Sequence, residues 1–287
     1  MEKPFGEKPL VIVKIGGRAA GVEETLKDLV SDIAALKDRY CFFVVHGGGA
    51  EVSRITKIFG LEPVFRDGIR QTSAAEMDIV DMVLAGKMNT YLVRIFESCG
   101  VPAVGLSGCD GRFFMGESID PASGNRTGRV TGLDMGVACV LARAGYIPLI
   151  ASVSMDGHGR ALNINADEAA LEIACSAEAE ALVYLSDIPG IMKDGKLLLR
   201  VGAADAEEEI GAGVITGGMI PKVRSSLDAL KRGVGEVVIG GFTHRGDLDL
   251  LLKGGLGTAI TGLKTVHYLE NPWEAQGIVA ESPQDLH

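Results

Sequence analysis

The sequence predicts an α/β protein built on a mainly parallel sheet, and three observations carry that expectation. Apolar residues make up 47% of the 287-residue chain, aromatic residues only 5%, and glycines number 39. Small aliphatic residues with many glycines suit tight βα turns better than a β-sandwich. Leu10 to Phe59 reads as strand, helix, strand, helix, with glycines closing both strands. A right-handed crossover would then bring both glycine clusters to one sheet edge. Strands and helices go on alternating to Thr261, with no linker, low-complexity block or solenoid repeat.

The elements follow in order. Leu10-Val-Ile-Val-Lys-Ile-Gly-Gly-Arg18 is a buried strand interrupted by one lysine, Lys14, just before Gly16 and Gly17. A buried lysine calls for a partner, and glycines at a strand end let backbone N–H groups approach an anion. Val22 to Lys37 carries apolar residues at helical spacing, Leu26, Leu29, Val30, Ile33 and Leu36. Cys41 to Val45 is the second strand, running into His46-Gly-Gly-Gly49, and Ala50 to Phe59 is the second helix. Asp67-Gly68 marks a hairpin carrying Arg70. Ser73 to Cys99 reads as one long helix, with Ser73 and Glu76 forming a capping box at its start.

Val101 to Leu106 is a strand, Ser107 to Gly111 a loop, and Arg112 to Thr131 a pair of short strands. Met135 to Ala144 is helical and Ile147 to Val153 extended. Leu162-Asn-Ile-Asn-Ala-Asp167 opens a helix that runs to about Ser176. Ala181 to Leu185 is a strand ending in Ser186-Asp187, and Asp194-Gly195 is a hairpin turn. Thr216-Gly-Gly-Met-Ile-Pro-Lys222 leads into a helix that ends near Arg232. Val237 to Ile239 is a strand closed by Gly240-Gly241, Leu248 to Leu252 a short helix, and Gly257 to Thr261 a closing strand. From about Asn271 the composition predicts disorder.

Composition also excludes functions. A formal net charge of −10 argues against a general nucleic-acid or anionic-membrane binder. The five cysteines lack CxxC spacing, which points to a reducing cytoplasm rather than a disulfide framework. No apolar leader resembles a signal peptide, and no apolar run reaches ~18 residues, so no membrane span is expected. Walker A, GxGxxG, HRD, DFG, HExxH and EF-hand patterns are all absent, and the dispersed histidines predict no protein-built metal site.

What remains is two lysines in glycine contexts, Lys14 and Lys222, with Asp167 able to pair with a lysine and Arg70 and Asn163 able to bind a carboxylate. Phosphoryl transfer needs such a set, because its catalysis is mainly positioning and charge neutralisation. Taken singly, each residue also has a plainer reading. Lys14 reads equally as a strand lysine snorkelling to solvent, Lys222 as a solvated first-turn residue, and Asp167 as a charge complementing a helix dipole. Arg70 reads as a surface hairpin residue, Asn163 as a turn residue, His46 as a structural histidine, and the cysteines as inert core residues.

In combination, Val13-Lys-Ile-Gly-Gly17, Val45-His-Gly-Gly-Gly49, Asp67-Gly-Ile-Arg-Gln-Thr72 and Asp81-Met-Val-Leu-Ala-Gly-Lys-Met-Asn89 resemble the amino acid kinase superfamily. Gly105-Leu-Ser-Gly108, Asn163-Ile-Asn-Ala-Asp167, Leu185-Ser-Asp187 and Gly217-Gly-Met-Ile-Pro-Lys222 extend the likeness to nearly the whole chain. Within the superfamily it is most similar to the N-acetylglutamate kinases. Carrier-protein-linked aminoadipate or glutamate kinases tend to end the Asn163 segment in Asp-Gly-Asp. Cys109 stands where many relatives have lysine, Arg129 where an acidic residue is common, and Arg18 where a small or amide residue is common.

The resemblance implies an open αβα sandwich and ATP-dependent phosphorylation of the side-chain carboxylate of N-acetyl-L-glutamate in arginine biosynthesis. It implies an acceptor and dimerisation lobe over 1–165, an ATP lobe over 166–265 and a tail over 266–287. Lys14, Lys222 and Asp167 are then the catalytic set, with Asp167 organising the two lysines. Gly48, Gly49, Arg70 and Asn163 would bind the acceptor, and Gly16 and Gly17 would face the phosphoryl group. Ser186, Asp187, Gly217 and Met219 would contact ATP, whose phosphates would hold Mg2+. Arginine-inhibited members carry an extra N-terminal helix that links dimers into a ring. About nine residues precede the first strand, too few for that helix, so an arginine-insensitive homodimer is expected. An aminoadipate-type kinase and a non-catalytic amino-acid sensor are the rival readings.

Overall fold

The computed structural model describes residues 7–16, 21–66, 68–262 and 267–269. Its first unit follows from the apolar pattern. Strand β1 (Leu10–Ile15) is buried at every position but Lys14, and helix α1 (Glu23–Leu36) turns Leu26, Leu29, Val30, Ile33 and Leu36 inward. Strand β2 (Cys41–His46) and helix α2 (Gly49–Ile58) complete it. β1 and β2 pair in parallel with Ile15 opposite His46, so Gly16 and Gly47 leave the sheet side by side.

The hairpin forms as β3 (Phe65–Arg66) against β4 (Ile69–Arg70). The helix expected over Ser73–Cys99 is α3 (Ala74–Asp81), a π-helical segment (Met82–Met88) and α4 (Asn89–Ser98), one helical path with a widened middle. A hydrophobic stripe does not reveal a π turn, because the insertion depends on tertiary partners. Here Asn89 follows the widened segment directly and is buried. Its amide donates to His46 Nε2 at 2.9 Å and to the Leu149 carbonyl at 2.8 Å.

Next come β5 (Ala103–Ser107), β6 (Phe114–Ser118), β7 (Thr127–Leu133), α5 (Gly136–Arg143), β8 (Ile147–Ala151), β9 (Val153–Met155) and β10 (Ala161–Ile164). Leu162 to Ile164 is therefore strand rather than the opening of a helix. Alternating burial along β10 matches its place in a sheet, and α6 (Ala166–Ser176) starts only after Asn165. β11 (Ala181–Ser186), β12 (Met192–Lys193), β13 (Lys196–Gly202), α7 (Ala203–Gly211) and α8 (Met219–Lys231) follow. α7 buries only Ala206 and Glu209, too thin an apolar stripe to announce a helix. The chain continues with β14 (Glu236–Gly241), α9 (Asp247–Lys253), β15 (Thr258–Thr261) and β16 (His267–Leu269). β15 is thus not the last strand, since β16 pairs antiparallel with β13.

Among the described residues the main sheet has ten strands in the order β12-β13-β15-β14-β11-β1-β2-β8-β5, with β16 beside β13. From β14 to β5 every pair is parallel, whereas β15 runs antiparallel to β14. One apolar cluster packs α6 and α8 on one face, and another packs α1, α4 and α9 on the opposite face. Helices on both faces of a mainly parallel sheet make the expected α/β sandwich. A smaller sheet, β6-β7-β10-β9, stands beside it. No helix among the described residues is long and apolar enough to cross a membrane.

Candidate active site

The parallel strands β2, β1, β11 and β14 end on one edge of the sheet, and the candidate site forms there. Lys14 lies on β1 between Val45 of β2 and Tyr184 of β11. Asp167 lies in the first turn of α6, where Asn165 caps the helix by accepting the Asp167 N–H at 2.8 Å. Lys14 Nζ stands 2.8 Å from Asp167 Oδ1, and Lys222 Nζ, from the first turn of α8, stands 3.4 Å from Oδ2. The three residues are far apart in sequence, and the structure gathers them around one carboxylate. Burial pushes the Asp167 carboxyl up, but Lys14 and then Lys222 outweigh it and hold the group below the ordinary carboxylate range.

Two of these glycines leave space for the ends of neighbouring side chains. A side chain at Gly16 would place its Cβ 2.4 Å from Lys14 Nζ, so glycine leaves room for the ammonium group. A Cβ at Gly48 would meet Leu84 Cδ2 at 2.9 Å, whereas Gly49, at the start of α2, is open. Gly17 and Arg18 lie outside the described residues, as do Asp67 and the tail from Asn271.

A cleft of about 1180 Å3 runs along this edge, lined by Lys14, Gly16, Gly47 to Gly49, Arg70, Asn163 and Asp187. Arg70 is not a surface hairpin residue. Only 7% exposed, it donates from Nη1 to Glu76 Oε1 at 2.7 Å and from Nη2 to the Gly49 carbonyl at 2.9 Å and Ser53 Oγ at 2.6 Å. Its guanidinium also covers the Phe65 ring at 4.7 Å. Asn163 donates from Nδ2 to Thr72 Oγ1 at 2.9 Å. Of Lys14, Asp167 and Lys222 only Lys14 lines the cleft; Asp167 and behind it Lys222 reach it through Lys14. Ser186 ends β11 beside Asp187, Gly217 has a left-handed φ of 55°, and Met219 opens α8 one turn ahead of Lys222. None of these three lines the cleft.

Glu76 and Ser53 were hidden in the sequence. Glu76 carries a capping-box signal, and Ser73 Oγ does accept its N–H at 3.2 Å. The Glu76 carboxylate, however, turns away from the helix end to Arg70, forming an ion pair less than a tenth exposed. Ser53 has no signal beyond its place after the glycines. At the rim of the cleft, Glu51 accepts from Arg54 and Lys87, which holds its carboxyl down to about 2.

His46 is structural. Its Nδ1 lies 3.0 Å from the Gly47 carbonyl, which can only accept, so Nδ1 carries the proton and Nε2 accepts from Asn89. Burial lowers its pKa to about 4. Cys139 and Cys175 are buried and Cys41 and Cys99 are half-buried, but Cys109 is exposed and so not a core residue. Burial pushes the Cys41 and Cys175 thiols up to about 11, away from thiolate chemistry at neutral pH. Among the described residues no group of three His, Cys, Asp or Glu side chains is arranged to hold a metal ion.

Residues 9–241 match the model of the Amino acid kinase family. The chain is 40% identical over 263 residues to the acetylglutamate kinase of Nostoc punctiforme, covering 88% of this chain and 87% of that one. It is 39% identical over 268 residues to the acetylglutamate kinase of Kosmotoga olearia, covering 91% and 94%. Among solved structures, smu.665 from Streptococcus mutans superposes with a TM-score of 0.74 at 26% identity, over 88% of this chain and 99% of that one. An isopentenyl phosphate kinase, at 18% identity and a TM-score of 0.60 over 88% of this chain and all of its own, shares the fold alone.

Proposed function

The chain belongs to the amino acid kinase family, and from that membership we propose that it acts as an acetylglutamate kinase in arginine biosynthesis. It transfers the γ-phosphoryl group of ATP to the side-chain carboxylate of N-acetyl-L-glutamate, giving N-acetyl-L-glutamyl 5-phosphate and ADP. The observation that carries this reading is the bridge of Lys14 and Lys222 by Asp167 beside the glycine-lined cleft.

The chemistry follows from charge. The acceptor carboxylate is ionised at neutral pH, so no general base is required, and buried His46 need not act. A carboxylate oxygen attacks the γ-phosphorus while the bond to the β–γ bridging oxygen breaks, and that electron pair leaves with ADP. Negative charge is spread over the transferring oxygens, where preorganised cations and N–H donors act most strongly. Lys14 neutralises charge from the β1 side and Lys222 follows the leaving phosphate. Asp167 orients both lysines. Gly16 faces the phosphoryl group, and Gly48 and Gly49 the acceptor. Arg70 and Asn163 hold the acceptor's α-carboxylate, while Ser186, Asp187, Gly217 and Met219 serve ATP. Nucleotide enters as Mg-ATP, its phosphates holding Mg2+.

The acceptor side occupies 1–165 and the ATP side 166–265, and both share the main sheet. The enzyme works in the cytoplasm as a homodimer; its five free cysteines fit a reducing compartment. An acceptor panel assayed for ADP release tests the reaction: N-acetylglutamate, glutamate, N-acetylaminoadipate and aspartate with Mg-ATP. N-acetylglutamate should turn over fastest. Faster turnover of N-acetylaminoadipate, or none with any acceptor, would overturn the reading.

A further inference from the structure

Tyr184 touches two residues of the lysine–aspartate set with its side chain and stands on the strand beside the third. It lies on β11 directly opposite Lys14 of β1, in a run where every neighbour from Ala181 to Leu185 is aliphatic and buried. Strands buried on both faces ordinarily carry aliphatic residues, and a phenol there needs a partner for its hydroxyl. That partner is the backbone carbonyl of Asp167, which accepts from Tyr184 Oη at 3.2 Å. The ring face is occupied as well, since Lys222 Nζ stands 5.7 Å from its centroid. An ammonium within about 6 Å of an aromatic face is attracted by the ring quadrupole, more strongly where water is scarce. Burial, followed by the Asp167 charge, raises the phenol's pKa, so the hydroxyl stays a donor at any working pH.

We infer that Tyr184 is a positioning residue for the phosphoryl-transfer centre, seating Lys222 with its ring and the Asp167 turn of α6 with its hydroxyl. Lys222 is held from two sides, by a carboxylate and by a π face, while Lys14 is steadied by β1 and the same carboxylate. The two lysines therefore need not depend on bound nucleotide to find their spacing. The inference rests on the kinase reading of this site for its catalytic consequence, but not for the placement of Lys222.

Two measurements test it, and the first needs no turnover. In protein with 13C-labelled lysine, the Lys222 ε-methylene signal, assigned by its loss in Lys222→Ala, should lie upfield from the ring current. It should stay there in Tyr184→Phe and move downfield in Tyr184→Leu; an unmoved signal in the leucine variant overturns the placement. In steady-state assays, Tyr184→Leu should lower kcat about 10-fold with both KM values within about two-fold, and Tyr184→Phe should restore most of it. Added to Lys222→Ala, Tyr184→Leu should cost no more than Tyr184→Phe costs alone, because the ring acts through that lysine and only the hydroxyl's share is left to lose. Losses that multiply, or KM values that move with kcat, would make Tyr184 a general packing residue. If Tyr184→Leu does not fold, Tyr184→Met repeats both measurements. A wild-type protein that releases no ADP sinks the kinase reading and leaves the lysine signal to decide the placement.

Discussion

At the scale of single residues, chemistry depends on how few charges share a small space. Lys14, with its side chain 13% exposed, and Lys222, at 26%, meet one carboxylate, so each ammonium can act on a phosphoryl group without long-range screening. Lys14→Ala and Lys222→Ala should each lose at least about 2–3 kcal/mol of transition-state stabilisation, read as kcat for ADP release. Wild-type turnover in both variants would remove the mechanism. His46 makes a separate prediction. The unfolded chain binds a proton at His46 below about pH 6.5, but the folded protein does so only near pH 4. Acid therefore favours the unfolded state across that interval. Tm should fall as pH drops through it, and His46→Gln should flatten that part of the profile. A profile unchanged by the substitution would mean that His46 is not held neutral by its partners.

At the scale of elements, the hairpin and the helix beside it are joined by a buried ion pair. Arg70 comes from β4 and Glu76 from α3, and Thr56 of α2 lies 3.5 Å from the same carboxylate oxygen. Removing one partner of such a pair strands the other charge. Glu76→Ala should cost about 3–5 kcal/mol in denaturant unfolding, and the freed Arg70 should raise KM for the acceptor. If stability falls while KM for the acceptor stays constant, Arg70 does not bind acceptor. The π-helical segment works at the same scale. It precedes Asn89, whose amide links His46 to β8, and Gly105 on β5 makes room for it, since a Cβ there would lie 1.8 Å from Asn89 Oδ1.

At the scale of the whole molecule, the two proposed lobes share one sheet, because β11 pairs with β1. A second tie lies among the helices of one face. Asp32 of α1, 4% exposed, accepts the N–H groups of Gly246 at 2.7 Å and Leu248 at 3.1 Å, ahead of and within α9. Arg39 also reaches Asp249 of α9 at 3.0 Å. Asp32→Ala leaves the buried Leu248 N–H unpaired and the half-buried Gly246 N–H without its carboxylate, and should cost about 1–3 kcal/mol in chemical denaturation. An unchanged midpoint would mean that this tie carries no stability. The main sheet ends at β5, which pairs only with β8 among the described strands. Sedimentation tests the proposed homodimer and should give a dimer. A hexamer would contradict that assembly.

Local signals determined most of the architecture. The apolar runs at Leu10–Ile15 and Cys41–His46 and the helical spacing of α1 are periodic features that need no distant partner to be read. The glycines after β1 and β2, and a lysine in an otherwise apolar strand, likewise marked the site from sequence. Tertiary structure decided the rest, because it depended on which residues meet across the fold. Glu76 has the same sequence context whether it caps α3 or pairs with Arg70, and only the closure of the hairpin against α2 settles it. The π segment and α7 escaped periodicity because their stability comes from packing, and at the π segment from the buried Asn89 amide, rather than from an apolar stripe; β10 alternates but is only four residues long and runs straight into α6. The junction of Lys14, Asp167 and Lys222 has the same cause. Three charges spread along the chain become one centre only when parallel strands end on a common edge and two helix starts turn toward it.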